Sequence, residues 1–254
     1  MAKPGTETQG AVASERRFKQ APRLPRRSLT GIVWRALACL ALMPFVAAMI
    51  WVFPEYLKLE IKPLIFRSAR HVAVSFFSGA GVYVLLHVFL HRPIKAYVFA
   101  HEITHAIWAR VFGHKIRRIE VDSDSGRTIT EGTNWVVRLA PYCFPLYTLL
   151  LIVLWAGLEF CFPKMSDGRT VLFFGIGFLY SFHVLLTLHF LKIGQTDLHA
   201  EGYVFSLSVI LATNLQLAAA VYAAISHRAT WLGFQRLVWE CLLHWAAAVG
   251  KLAG

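Results

Sequence analysis

Apolar residues run in blocks of about twenty along this chain, with polar residues gathered between them. The blocks fall near 32–53, 71–91, 94–113, 136–160, 170–191 and 203–225. A helix of about 20 apolar residues crosses the ~30 Å hydrocarbon layer of a bilayer, so the pattern predicts about six transmembrane helices. Trp34, Trp51, Tyr56, Trp135, Tyr203 and Trp231 lie at or near block ends, where the rings of an interfacial belt sit. After the third block, β-prone runs from Lys115 to Val121 and from Arg127 to Thr130 flank Asp122-Ser123-Asp124-Ser125-Gly126. That turn chemistry predicts a small β-hairpin. From Trp231 to Trp245, Leu232, Val238, Trp239 and Leu242 alternate with Gln235, Arg236 and Glu240 in amphipathic order. This predicts an interfacial helix rather than a seventh span.

Composition strengthens the membrane reading. The chain has 254 residues, 57% of them hydrophobic and 16% charged, with a mean hydropathy of +0.53. An ordinary soluble domain is less apolar and more charged. The fold class expected is therefore an all-α membrane protein, in contact with the lipid bilayer, carrying one hairpin.

The net charge of +12 is concentrated at the start and does not point to nucleic acid. Residues 1–30 hold Lys3, Arg16, Arg17, Lys19, Arg23, Arg26 and Arg27 against Glu7 and Glu15, with Pro4, Pro22 and Pro25. Such a segment has little to bury, which predicts a disordered basic tail. A basic flank before a first span marks a cytoplasmic N-terminus, and the tail is suited to anionic lipid. No groove-reading or base-stacking module accompanies the charge. A polytopic domain over 31–228 and an amphipathic C-terminal helix over 229–254 complete the expected organisation. Cys39, Cys143, Cys161 and Cys241 show no CxxC pairing and read as reduced packing residues.

The third block changes the picture. It contains His101-Glu102-Ile103-Thr104-His105 between Ala96-Tyr97-Val98-Phe99-Ala100 and Ala106-Ile107-Trp108-Ala109. Ionisable groups in such surroundings are costly, and a functional role is their default reading. Residues four apart share a helix face, so both imidazoles can reach one metal ion. Glu102 lies about 100° round the helix, beside the metal, where a carboxylate can take a proton from water. The block reads as a zinc hydrolase site (Zn2+, His101, His105) with Glu102 as the base.

Beyond the hairpin, Gly194-Gln195-Thr196-Asp197 opens the sixth apolar block. The HEITH helix, the β-prone stretch after it and this Gly-x-Thr-Asp together resemble the site-2 protease family of intramembrane zinc metallopeptidases. The closer likeness is to its compact branch, in which the later motif is Gly-Trp-Thr-Asp rather than Asn-Pro-x-Asp-Gly. The resemblance covers roughly 94–225. It implies that His101 and His105 are zinc ligands, that Asp197 is the third and that Glu102 is the catalytic base. Gln195 stands where the branch has an aromatic residue, and no Asn-Pro-x-Asp-Gly occurs in the chain.

Catalytic zinc takes three protein ligands and leaves a position open. Among the four aspartates, Asp122 and Asp124 fall in the hairpin turn and Asp167 in the Met165–Arg169 loop, while Asp197 begins an apolar helix. Capping that helix is its plain alternative role. Glu201, one turn on, is the other candidate ligand, and His199 points elsewhere on the helix. His87 and His91 stand four apart at a span end without an adjacent carboxylate and read as interfacial hydrogen-bonding groups. His183 and His189 are unassigned, each fitting a supporting hydrogen bond or simple packing.

Together these readings describe a zinc metalloendopeptidase that cleaves a membrane-protein substrate in or near a spanning segment. The expected location is a bacterial inner (plasma) membrane. The hairpin edge could hold such a segment extended by strand addition, or simply connect two helices. The alternative is a non-proteolytic metal-binding membrane protein, a transporter or an inactive relative. Nothing in the sequence bears on oligomeric state.

Overall fold

The structure is a computed structural model describing residues 28–64, 70–90, 92–122, 125–162, 168–193, 195–226 and 229–253. The basic tail expected over 1–30 lies outside them apart from its last three residues, as do His91, Ser123, Asp124, Asp167 and Gly194. In chain order the elements are α1 (Leu29–Leu64), α2 (Arg70–Phe89), α3 (Ile94–Val111), β1 (Ile116–Val121) and β2 (Gly126–Thr130). They continue with α4 (Trp135–Cys143), α5 (Leu146–Cys161), α6 (Arg169–Ile193), α7 (Thr196–Glu201), α8 (Tyr203–Ile225) and α9 (Trp231–Ala253). The chain divides into Met1–Trp34 and Arg35–Gly254. The described part of the first unit is the opening of α1, where Ser28 Oγ accepts from the Gly31 N–H at 3.0 Å and caps the helix.

The protein is an integral membrane protein of helices plus one hairpin, and its described residues hold four to five candidate spans where six were expected. Among the described residues, four helical stretches are long and apolar enough to cross a bilayer: Leu29–Lys58, His71–Phe89, Arg169–Ile193 and Tyr203–Ile225. Helices α4 and α5 make a fifth if they are one broken span, bent by 73°. Two physical causes reduce the count. The block at 94–113 folds as α3, but Lys95, Glu102 and Arg110 and two histidines fall within its 18 residues. The block at 136–160 is interrupted at Phe144–Pro145, where proline disfavours helix in the residue before it and cannot donate a hydrogen bond.

Close helix packing fixes the frame. Helices α2 and α6 cross at two glycines, each against the other helix's backbone: a Cβ on Gly79 would strike the Phe174 carbonyl, and one on Gly177 the Phe76 carbonyl. Small residues allow this approach in a bilayer, where packing and interhelical hydrogen bonds replace the hydrophobic drive. Ser75 Oγ adds one such bond by donating to the Thr170 carbonyl. A second core joins α1, α8 and α9 around buried Tyr56, Tyr222 and Phe234. Tyr56 Oη donates to the carbonyls of Ala219 and Thr230 at 3.2 and 3.1 Å, so its hydroxyl is satisfied although buried.

The hairpin is antiparallel, pairing Glu120 with Arg127 and Val121 with Gly126, with an irregularity between Ile116 and Arg118. It follows α3 directly and packs back on it through Thr128, whose Oγ1 lies 3.0 Å from the Glu102 carbonyl.

Gly177→Val is expected to force α2 and α6 apart and to cost about 1–3 kcal/mol, as overpacking does. Gly81→Ala, facing open space, should be neutral or mildly stabilising. Thermal unfolding of both variants in detergent checks the contrast.

Candidate metal centre

The motif helix α3 turns one face toward α4 and α7. On that face His101 and His105 bring their Nε2 atoms to 3.1 Å. Asp197, from the first turn of α7, brings Oδ2 to 3.8 Å from His101 Nε2 and 3.4 Å from His105 Nε2. Among the described residues, this is the only group of three or more His, Cys, Asp or Glu side chains whose ligand atoms all lie within 4.8 Å. Ligand atoms around a tetrahedral zinc ion stand about 3.3 Å apart, so the three donors fit a small divalent metal. Asp197 is 25% exposed, leaving one side open.

The hydrogen bonding of His105 makes the same point chemically. Its Nδ1 lies 2.7 Å from the Val137 carbonyl. A carbonyl only accepts, so Nδ1 carries the proton and the neutral ring keeps a lone pair on Nε2. In a regular helix the Val137 carbonyl would accept from the N–H of residue 141. Residue 141 is proline, inside α4, and has no N–H. Pro141 therefore frees the acceptor that orients His105. The start of α4 is fixed by Asn134, whose Oδ1 accepts from Val137 N–H at 2.9 Å.

Asp197 is held by its surroundings. Burial opposes its charge, but the imidazole rings of His101 and His105 beside it outweigh this and keep the carboxyl well below the usual carboxylate range. Tyr142 Oη lies 3.5 Å from Oδ2, a long hydrogen bond, and its ring packs edge-on to His101 at 5.0 Å.

Glu201, the other candidate ligand, is not part of the cluster. It is 1% exposed and lies between two arginines: Arg35 Nε donates to Oε2 at 2.9 Å, and Arg138 Nη1 donates to Oε1. Arg138 follows Val137 in α4, and Glu201 closes the six-residue helix that begins at Thr196. The ion network thus braces both the carbonyl that holds His105 and the short helix that bears Asp197. His199 is exposed and stacks against Tyr203.

Glu102 faces the hairpin. It is 6% exposed, and Thr128 Oγ1 donates to its Oε2 at 2.6 Å. A Cβ at Gly126 would lie 2.6 Å from Glu102 Cγ and 2.7 Å from Oε1, so no larger residue fits without displacing the carboxylate. Beside it is a cavity of about 140 Å³ lined by Tyr97, His101, Glu102, Ser125, Gly126 and Gln195, among others. That is about ten times the room a single water needs.

Sequence reasoning missed Thr128, Gly126, Tyr142 and the two arginines. Arg35 and Arg138 carried a legible signal, each an arginine inside an apolar block. His87, the described member of the other histidine pair, hydrogen-bonds Tyr83 Oη at 3.4 Å.

Residues 77–226, more than half of the chain, match the family model described as Peptidase M50B-like. The chain belongs to this family. It is the site-2 protease group that the order of motifs resembles. No curated protein and no solved structure matches the chain. The match takes in α3, the hairpin and the helix bearing Asp197, so the whole metal cluster lies within the part the family shares.

Pro141→Ala supplies the missing N–H to the Val137 carbonyl. It is expected to raise thermal stability, since proline inside a helix costs up to about 3 kcal/mol. It should also weaken divalent-metal affinity, because His105 loses its sole claim on that carbonyl. Unfolding curves and metal titration of one sample read the two opposite signs.

Proposed function

We propose that this protein is a membrane-embedded zinc metallopeptidase hydrolysing a peptide bond in or near a membrane-spanning segment of another protein. The observation that carries this reading is the convergence of His101 Nε2, His105 Nε2 and Asp197 Oδ2, with a glutamate next in sequence to the first histidine, in a chain of a peptidase family.

His101, His105 and Asp197 would hold the metal. Zinc, when bound there, supplies a Lewis acid that polarises the scissile carbonyl and eases deprotonation of water. Glu102 accepts the proton of the attacking water and delivers it to the leaving amine. The Thr128 hydroxyl orients the carboxylate for this role and leaves Oε1 free of that bond. The cavity beside His101 and Glu102 admits water and substrate to a site otherwise walled by helices. Its hairpin edge, with Ser125 and Gly126 at the rim, is suited to a substrate strand drawn out of its helix, since helical carbonyls are already hydrogen-bonded.

Glu102→Gln should keep one zinc per chain yet slow cleavage of a reporter span by about 10²–10⁴-fold, the usual contribution of general acid–base catalysis. His101→Ala and Asp197→Ala should lose the zinc itself. Metal analysis and reporter cleavage in proteoliposomes decide the matter. Zinc bound without any wild-type cleavage would favour a non-proteolytic metal-binding protein.

Activity should also fall on acidification. Ligation needs neutral imidazoles, whereas Asp197 is held ionised by its surroundings, so protonation of the histidines governs the loss. Zinc retention measured across an acidic titration should drop together with cleavage.

A further inference from the structure

His101 and His105 are not supported alike. His105 donates through Nδ1 to a backbone carbonyl, whereas His101 Nδ1 is buried without a hydrogen-bond partner in the protein. Nε2 of His183, in α6, is buried and partnerless too. A buried polar atom left unsatisfied is destabilising. Both residues line one cavity between α3, α4 and α6, with about 10 Å³ of room for a water-sized body. One water molecule needs roughly that much.

The proton positions fit a single bridge. The backbone of Tyr142 lies beside the His183 ring, and with Nε2 partnerless the carbonyl there is the acceptor available to Nδ1. A proton on Nδ1 facing that carbonyl leaves Nε2 of the neutral ring to accept. His101 presents Nε2 to His105 and Asp197; a lone pair at that atom requires the proton on Nδ1. A water between the rings accepts from His101 Nδ1–H and donates to His183 Nε2. Its second hydrogen has an acceptor in Thr104 Oγ1, which lines the same cavity and sends its own proton to the Ala100 carbonyl at 2.7 Å.

We propose that His183 is a positioning residue for the metal centre, orienting His101 through one buried water. The inference rests on reading His101, His105 and Asp197 as the zinc ligands. It gives His101 the supporting hydrogen bond that His105 obtains directly. His183 touches neither metal nor substrate.

The test uses the full chain in detergent and does not depend on activity. His183→Phe fills the ring's place without an acceptor, and His183→Gln keeps an amide oxygen that accepts. By chelator competition, H183F should bind zinc about 10–100-fold more weakly than wild type, the usual loss for a supporting partner, and H183Q should stay within a few-fold. In the zinc-loaded wild-type protein, the Nδ1–H proton of His101 should be protected from exchange with solvent by the bridge; in H183F it should exchange several-fold faster. Unchanged affinity in H183F, or equal losses in H183F and H183Q, would overturn the proposal. So would a His101 Nδ1–H in zinc-loaded wild type that exchanges as fast as an unbonded imidazole N–H, a result available even if H183F does not fold. If wild type binds no zinc, the metal-centre reading fails and the positioning role falls with it; zinc bound equally by wild type and H183F sinks the link to His183 alone.

Discussion

A backbone carbonyl without its helical donor is the constraint on which the rest of this protein depends. Because residue 141 is proline, the carbonyl of Val137 is left for the His105 ring 2.7 Å away. That bond fixes the tautomer of His105 and holds α4 against α3. An unpaired carbonyl in an apolar interior is costly, so the two helices satisfy each other where they meet. The bend after α4 has the same origin: Pro145 lacks a donor as well, and α5 leaves at a new angle.

The charges around the centre are arranged by the same economy of partners. Glu201 is almost fully buried and is matched by Arg35 and Arg138. An isolated charge there would be destabilising by several kcal/mol, so the three residues tie α1, α4 and α7 into one unit. Asp197 lies on the same six-residue helix as Glu201. A short helix of this kind has little stability of its own; its position comes from the network at one end and from the histidines at the other. The candidate base is likewise held from outside its helix, by Thr128 Oγ1 of β2, with Gly126 opposite, where a side chain would intrude.

How far this was legible differs from residue to residue. The apolar blocks gave the helices, because burial in lipid demands a continuous hydrophobic stretch and that demand is local. They left the number of spans open, because apolar length alone does not settle whether a helix that carries a polar site, as α3 does, or one broken by proline crosses the bilayer. The histidine pair was legible because a four-residue step is a property of the helix itself. The choice between Asp197 and Glu201 as the acidic partner was not, since four residues separate them on one short helix and only their surroundings differ.

The sequence by itself determined the helices, the hairpin and the shared face of His101 and His105, since each follows from spacing within a few residues and from the cost of polar groups among apolar ones. Tertiary structure alone decided the partners. Val137 meets His105 across 32 positions, Arg138 meets Glu201 across 63, and Arg35 meets Glu201 across 166. Such pairings satisfy buried donors and acceptors wherever folding happens to bring them together, and no local pattern records which donor will face which acceptor.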